Sequence, residues 1–237
     1  MGSLTELGAG AVGESSSSRF ARAHRDLRSL IIAGRFEPNA RLTEAELTSL
    51  LDVSRGTVRS VLVRLAQEGY LTSEPNRGVR TRVFTVEEAA AVLEAREVLE
   101  SALAGKAAER ATEGELAQLE EIFEEMRAAE LARAETEYSR LNRRFHQHIR
   151  TIARQPILAG FVSDLVYPLV MRQYRDLTRE HPRRNSLNEH RAILTAVQTG
   201  NIESAAAAMR HHISSARRAL LLNTRDTRDA GAVEQDR

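Results

Sequence analysis

Cysteine and tryptophan are absent from this chain of 237 residues, and glycine and proline are sparse, at 13 and 5. Without cysteine there can be no disulfide, no thiolate ligand for a metal and no cysteine nucleophile. The basic side chains are almost all arginine, because Lys106 is the single lysine, and the net charge is only +1. A charge balance so close to neutral does not by itself indicate a nucleic-acid partner.

Long apolar stretches are missing as well. No run approaches the roughly 18 apolar residues of a membrane-spanning helix. The first residues lack the basic start and apolar core of a secretion signal. We therefore expect a cytoplasmic protein with no membrane partner, folded as one large or two small domains. Residues 1–18, rich in glycine and serine, are expected to form a disordered leader, and residues 224–237 a mobile tail.

Residues 19–84 carry the pattern of a small DNA-reading module. A first helix is predicted over 19–34, and a second follows the capping box formed by Thr43 and Glu46. Ser54 caps a third helix that ends near Gln67. Its apolar residues recur at helical spacing and are expected to be buried: Val58, Val61, Leu62 and Leu65. Two short alternating strands, at 70–73 and 79–84, then surround an arginine-tipped turn.

A helix, a turn, a second helix and a hairpin together predict a winged helix-turn-helix, which places its third helix in the DNA major groove. Arg55 and Arg59 lie one turn apart beside the outward face of that helix. Arginine suits this role because its guanidinium can contact guanine or phosphate with two nitrogens at once. A solvated amphipathic helix would show the same arginine pair. The neighbouring helix and wing favour the DNA-binding interpretation.

This region resembles the GntR family of bacterial transcription regulators. The resemblance rests on the segments Arg41-Leu42, 53–59 (VSRGTVR), 65–71 (LAQEGYL) and Asn76-Arg77-Gly78. It implies that DNA is contacted by three residues of the third helix and one of the wing: Arg55, Thr57, Arg59 and Gly78. Arg41 and Arg77 are further candidates. Some members carry a DNA-contacting arginine where this chain has Ala45. The expected DNA partner is an operator with an inverted repeat, bound by a homodimer.

From Thr85 onward the pattern is almost wholly helical, so residues 85–223 are predicted to form an all-α bundle. Capping boxes open its first two helices, at Thr85 and Thr112. Further helices are expected near 134–153, 157–179, 186–199 and 202–222. The predicted fold class is therefore mainly α, with an N-terminal winged helix-turn-helix that carries a small β-hairpin wing and a C-terminal helical bundle.

Histidines in the bundle offer metal chemistry. Asn142 and His146 lie four residues apart and share a helix face. His190 and His212 lie on the apolar stripes of two other helices. Imidazoles from different helices can converge on zinc, nickel or a similar ion. Each histidine could instead be satisfied separately by hydrogen bonds. Periodicity also places His148 nearer the apolar stripe of its helix than His146.

Residues 87–222 resemble the FCD ligand-binding domain of FadR-type GntR regulators. The resemblance rests on Glu94-Ala95-Arg96 with Leu99-Glu100, on Asn142 with Phe145-His146, and on the segments 189–194 and 209–213. It implies a metal site made of Asn142, His146, His190 and His212. The family usually has aspartate in place of Asn142. The amide brings no negative charge, so the site should hold its ion more weakly and attract an anionic ligand.

The resemblance implies a repressor whose operator affinity is set by a small organic acid in the bundle. The acid's carboxylate would complete the coordination of a divalent ion, with zinc or nickel as first candidates. It would also pair with Arg96 or Arg172, although a surface ion pair is an equal alternative for Arg172. Binding would change the angle between the two DNA-binding modules of the homodimer.

Two alternatives for the function remain open. The ion itself could be the signal to which the regulator responds. Three histidines on a metal with open positions could also make a metal-dependent hydrolase. The sequence shows no HExxH-type pair and no evident general base beside the histidines, which favours a regulator over an enzyme.

Overall fold

The computed structural model describes residues 15–74, 78–174 and 186–235, apart from the side chains of Glu74 and residues 223–235. The chain divides into two compact units, Met1–Val83 and Phe84–Arg237. Over the described residues the fold is mainly α, with one small antiparallel sheet in the first unit. This is the predicted fold class. Within the described ranges, none of the helices combines the length and apolarity that crossing a bilayer requires.

The first unit packs three helices beside a small sheet. Its elements are α1 (Ser16–Ala33), β1 (Arg41–Leu42), α2 (Glu44–Leu51), α3 (Arg55–Gln67), β2 (Leu71–Glu74) and β3 (Gly78–Thr81). The core lies where α1 meets α3. Helix α1 buries one residue per turn, namely Ala23, Leu27 and Ile31. Helix α3 buries the four residues predicted from helical spacing: Val58, Val61, Leu62 and Leu65.

Helix α1 begins earlier than predicted. The hydroxyl of Ser15 accepts a hydrogen bond from the backbone N–H of Ser18, which caps a helix that starts at Ser16. Residues 16–18 are therefore helical, and the prediction that they belong to a disordered leader is wrong. The other two caps of this unit are as predicted, since Thr43 accepts from the N–H of Glu46 and Ser54 from that of Thr57.

The sheet contains a strand that was not predicted. Its order is β1–β3–β2, and both pairings are antiparallel. Arg41 lies in β1 opposite Arg80, and α2 begins three residues later at Glu44. A strand of two residues is too short to show alternation, and it forms because β3 offers an open edge. The β2–β3 hairpin is the predicted wing.

The second unit is helical throughout its described residues. Its helices are α4 (Val86–Arg110), α5 (Glu113–Leu131), α6 (Glu135–Ile152), α7 (Pro156–Asp164), α8 (Tyr167–Gln173), α9 (Ser186–Gln198) and α10 (Ile202–Gln235). Helix α4 packs against α6, α7, α8, α9 and α10. Both predicted capping boxes are present, Thr85 with Glu88 and Thr112 with Glu115. The bundle's core includes Leu93, Leu103, Phe123, Phe145, Ile193 and Met209.

Two helices of this unit differ from their predicted bounds. The helix expected over 157–179 stops at Asp164, Val166 adopts a left-handed φ of 49°, and α8 starts at Tyr167. The cause is Pro168, because proline has no N–H to donate and is tolerated only in the first turn of a helix. Residues 175–179 of that prediction lie outside the described residues. Helix α10 runs to Gln235, where a mobile tail was expected, and no proline interrupts that segment.

Candidate nucleic-acid interface and metal centre

The first turns of α3 present polar side chains to solvent. The Ser54 hydroxyl accepts a hydrogen bond from the N–H of Thr57, and the two hydroxyl oxygens lie 3.0 Å apart. Arg55 and Arg59 are exposed, and Thr57 is half-buried. The opposite face of α3 is buried, so the structure places these three predicted DNA contacts on the solvent side of one helix.

An acid from α2 orients Arg59. The Arg59 Nε donates a hydrogen bond to Glu44 Oε1 at 2.6 Å. This bond lowers the pKa of Glu44 and raises the pKa of Arg59. A carboxylate held on Nε leaves the terminal nitrogens available for guanine or phosphate. Glu44 was not predicted as a site residue, because an acid in the first turn of a helix is also typical of an ordinary helix start.

The sheet brings two other predicted residues together. Gly78 opens β3 with a φ of 79°. A Cβ placed on it would lie 3.7 Å from the Nε of Arg41, which is exposed on β1. Glycine suits Gly78 because L side chains rarely adopt a positive φ. The sixth predicted DNA contact, Arg77, lies outside the described residues.

Replacing Gly78 with alanine is expected to weaken folding and DNA binding together. Alanine at positive φ costs about 1–2 kcal/mol, and the shifted wing and Arg41 should lower DNA affinity several-fold. Gly200→Ala is the matched control, because Gly200 also has a positive φ of 67° and its added Cβ would also meet its nearest atom at 3.7 Å. Urea unfolding and DNA titration of both variants measure the two effects. Equal loss of DNA affinity in both would show that Gly78 acts through stability alone.

Three histidines from three helices meet in the interior of the second unit. His146 of α6, His190 of α9 and His212 of α10 are buried, with 2, 0 and 8% of their surface exposed. One ligand atom of each lies within 4.8 Å of those of the other two. The rings of His190 and His212 are closest, with centroids 4.3 Å apart. The structure thus brings together the three histidines predicted as metal ligands.

Each imidazole is oriented by an oxygen behind it. The Nδ1-to-oxygen distances are 2.5 Å for His146 and Glu100, 2.9 Å for His212 and Glu189, and 2.6 Å for His190 and the carbonyl of Ser186. In a neutral imidazole one nitrogen donates and the other accepts. Donation from Nδ1 therefore leaves the lone pair of each ring on Nε2. Histidines that bind metals are usually oriented in this way by outer hydrogen-bond acceptors.

Two of these lone pairs lack a suitable partner. The Nε2 of His146 is buried with no hydrogen-bond partner among the described residues. The Nε2 of His190 faces the Oδ1 of Asn142 at 2.8 Å, which sets one acceptor against another. Burial and the neighbouring histidines hold the pKa of His190 well below its usual range, so a proton does not resolve the conflict. If the side-chain amide of Asn142 were rotated by half a turn, its NH₂ group could donate to Nε2 of His190, but Nε2 of His146 would still lack a partner. A cation would accept the lone pairs of both nitrogens. Asn142 therefore fits as the fourth ligand.

Arg96 is buried beside the cluster but already has a partner. Its Nε donates to Glu100 Oε1 at 2.5 Å. Burial alone would lower the pKa of Arg96, but the charge of Glu100 and the contact with Tyr167 outweigh it and raise that pKa. Burial alone would raise the pKa of Glu100, but Arg96 and His146 hold it well below its usual range. Glu100 holds Arg96 through Nε, as Glu44 holds Arg59, so this bond does not itself engage the terminal nitrogens. The contact of Arg96 with an effector carboxylate stays a prediction.

A second arginine near the cluster was missed. Arg150 lies one turn after His146, and its Nη1 is 3.7 Å from Glu100 Oε1, which already accepts from Arg96. Burial lowers the pKa of Arg150. A distance of 3.7 Å is too long for a hydrogen bond, so the mostly buried charge of Arg150 is only weakly compensated by Glu100. Such a guanidinium favours the binding of an anion nearby. Arg150 could have been predicted from the sequence, because it lies four positions after His146 and therefore on the same face of α6. Arg172 is half-buried in α8, and its contact with an effector stays a prediction.

Two other histidines do not join the cluster. The Nε2 of His148 lies 3.0 Å from the backbone carbonyl of Glu115, so His148 bonds to α5. His211 is 65% exposed and lies 3.7 Å from Glu189. The periodicity that placed His148 further inward than His146 was misleading. The acids that bond to Nδ1 of two of the clustered histidines, Glu100 and Glu189, were not predicted in that role.

The metal-free protein is expected to lose stability as the pH falls from 6.5 to about 4. Burial lowers the pKa of His146 from 6.5 to about 4, so the unfolded chain takes up a proton in this range before the folded one does. Above pH 6.5 the neutral His146 costs the folded protein no stability. Near pH 4 the shift of its pKa lowers the free energy of unfolding by roughly 3 kcal/mol. Urea unfolding between pH 7.5 and 4.5 measures this loss and avoids the titration of Glu100 at lower pH. His146→Gln should reduce the slope without abolishing it, because the pKa of His190 is also held well below its usual range by burial. A slope unchanged from the wild type would contradict the assignment.

Comparison with known proteins covers both units. Residues 20–81 match the family described as bacterial regulatory proteins, gntR family, and residues 91–215 match the FCD domain. The HTH-type transcriptional regulator YdhC of Bacillus subtilis is 27% identical over 190 residues, which cover 78% of this chain and 84% of that protein. The HTH-type transcriptional repressor RspR of Escherichia coli is 26% identical over 190 residues, with coverage of 80% and 83%.

A solved structure supports the same assignment. A GntR transcriptional regulator from Rhodococcus sp. RHA1 is 27% identical, with a TM-score of 0.72 over 86% of this chain and 98% of that one. The family and these relatives are transcription regulators rather than enzymes, which agrees with the prediction and removes the hydrolase alternative. The resemblance noted in the sequence is confirmed in both halves. This chain belongs to the GntR family of bacterial transcription regulators, in the group whose second domain is an FCD domain.

Proposed function

We propose that this regulator acts in the cytoplasm as a homodimer that represses transcription from an inverted-repeat operator. A small organic acid, bound with a divalent ion at the histidine cluster, would release it. The DNA half of the proposal is supported by the exposed arginines on α3 and by the family. A role in repression is supported by the name of the Escherichia coli relative.

The observation that carries the metal half is the shared orientation of the three imidazoles. Each donates Nδ1–H outward to an oxygen, so each has its lone pair on Nε2. Neutral imidazoles and an amide oxygen suit zinc, nickel and similar divalent ions. When bound, such an ion acts as a Lewis acid that accepts an anionic oxygen. Asn142, His146, His190 and His212 would hold it.

The charges around the cluster favour an acid as the ligand. All four proposed metal ligands are neutral, so none of them offsets the double charge of the ion. Two carboxylates stand behind the ligands, Glu100 and Glu189. The charges of Arg96 and Arg150 near Glu100 match these two, which leaves the charge of the ion unbalanced. A carboxylate from outside would add the missing negative charge and could form charge-assisted hydrogen bonds with an arginine. We propose Arg96 and Arg150 as its first partners and keep Arg172 as a third candidate.

A metal-responsive regulator is the second candidate function. The four protein ligands are enough for a tetrahedral ion, which would leave no position for an acid. In that case the ion itself would be the signal. An ion that expands its coordination beyond four ligands, as zinc can, would leave a position open for a carboxylate. The number of ligands around the bound ion therefore separates the two candidates.

The test begins with selection of an operator from random double-stranded DNA by the full-length protein. An inverted repeat is the expected product. Operator affinity is then measured in metal-free protein, with zinc, nickel or manganese, and with each ion plus a panel of small mono- and dicarboxylates. The proposal predicts that one acid changes affinity roughly 5- to 150-fold, the usual range for coupled sites. A response to metal alone, unaltered by every acid, would favour the second candidate. No response to either would refute both.

A further inference from the structure

Arg96 connects the histidine cluster to helix α8. Its guanidinium carbon lies 3.7 Å from the centre of the Tyr167 ring, which is a close cation–π contact. Its Nε donates to one oxygen of Glu100, and the other oxygen of Glu100 accepts Nδ1–H of His146. A continuous series of contacts therefore runs from a proposed metal ligand to the first residue of α8.

The other end of α8 holds the first residue of the second unit. Gln173 accepts the N–H of Phe84 through Oε1 at 2.9 Å and donates from Nε2 to the Phe84 carbonyl at 2.6 Å. The hydroxyl of Tyr174 donates to the same carbonyl at 2.7 Å. Phe84 is buried and follows closely after Thr81, the end of β3. Three hydrogen bonds thus fix the chain where it enters the second unit.

Helix α8 is short and is joined to α7 by a strained residue. It has seven residues. Val166, directly before it, adopts φ 49° and ψ 20°, a left-handed conformation that β-branched residues rarely take. Pro168 prevents α7 from continuing through this joint. A short helix with a strained joint on one side can shift as a unit when a contact at its end changes.

We propose that α8 transmits the occupancy of the histidine cluster to Phe84, with Tyr167 and Gln173 as the positioning residues at its two ends. The inference rests on the proposed function, because it requires an ion at the cluster. It concerns how the site is regulated and not what the site binds. It also explains why three side-chain hydrogen bonds converge on one backbone position.

The transmission follows from competition for Glu100. An ion on Nε2 of His146 makes its Nδ1–H a stronger donor, which draws Glu100 toward the imidazole. Arg96 then loses part of its carboxylate partner and turns toward the anion that accompanies the ion. As it turns, its contact with the Tyr167 ring weakens. Helix α8 loosens, and its hydrogen bonds to Phe84 open more often.

Hydrogen exchange at the backbone amide of Phe84 reports this step, because that amide is bonded to Gln173. The probe is Zn²⁺ added to the full-length protein in acetate buffer, with zinc binding followed separately by calorimetry. In the wild type we expect exchange at Phe84 to become at least about fivefold faster, the lower end of usual coupling. In Tyr167→Ala the change should fall below about twofold while zinc affinity is retained. Tyr167→Phe keeps the ring and should keep the response.

Two further variants complete the design. Phe161→Ala removes an exposed aromatic ring from α7, outside the series of contacts, and should retain the full response. Gln173→Ala should give fast exchange at Phe84 with or without zinc. Zinc binding without any change at Phe84, or a full response in Tyr167→Ala, would overturn the role of α8 and leave the metal site standing. Absence of zinc binding would overturn the metal site and the role of α8 with it.

Discussion

Metal binding is expected to disappear when His190 and His212 are both replaced by alanine. These residues supply two of the three imidazoles that converge within 4.8 Å, so the variant keeps only His146 and Asn142. Mutation of residues that only hydrogen-bond to metal ligands usually lowers metal affinity by roughly 10- to 100-fold. Loss of two direct ligands should therefore exceed a cost of about 100-fold. Elemental analysis after reconstitution with zinc or nickel measures the result.

His211→Ala is the matched control for this experiment. His211 is adjacent to His212 and approaches the same carboxylate, Glu189, but is exposed and supplies no ligand. It should retain the metal content of the wild type. Asn142→Asp should shift affinity in the opposite direction, because a carboxylate adds negative charge beside the ion. Metal content that is the same in the double variant and the wild type would refute the site.

Operator affinity is expected to fall about 5- to 150-fold in Arg59→Ala, which is the usual effect of losing one arginine contact to a base. Arg59 is exposed on α3, and its hydrogen bond to Glu44 orients the guanidinium before DNA arrives. Loss of the oriented Arg59 guanidinium should therefore lower the affinity for the operator more than the affinity for random DNA. Titration of the selected operator and of random DNA, at one fixed salt concentration, separates the two effects.

Arg64→Ala removes the same charge from the same helix and serves as the control. Arg64 is exposed five residues later, and its Nε is held by Glu68 at 2.7 Å. Its loss should lower the affinity for operator and random DNA by a similar, small factor. If Arg64→Ala weakened operator binding as much as Arg59→Ala, the effect would be general electrostatic attraction and α3 would not be the reading helix.

Helix caps and buried helix faces could be predicted from the sequence, because they depend on residues only a few positions apart. The caps at Ser54, Thr85 and Thr112 form as their residue types indicate. The buried face of α3 follows from the spacing of its apolar residues. The choice of His146 required more than spacing, because periodicity alone favoured His148. The family resemblance indicated His146, and His146 is the one of the two that lies in the histidine cluster.

Features that depend on residues far apart in the chain could not be predicted from the sequence. Glu100 lies 46 positions before His146, and Glu189 lies 23 before His212. No pattern of one helix shows which acid of another helix will stand behind an imidazole. Strand β1 was missed for a similar reason, since Arg41 and Leu42 become a strand only through pairing with β3. In contrast, the break before α8 could have been predicted from Pro168.

The candidate donors of the histidine cluster have a consequence for oxidative stress. They are imidazole nitrogens and an amide oxygen, and the chain contains no cysteine. Peroxide converts a thiolate ligand to sulfenic acid and so ejects the metal from a thiolate site. Imidazole and amide donors do not undergo that reaction. An ion held by these four residues would stay bound during an oxidative burst, and control of the operator would continue in reduced and oxidised cells alike.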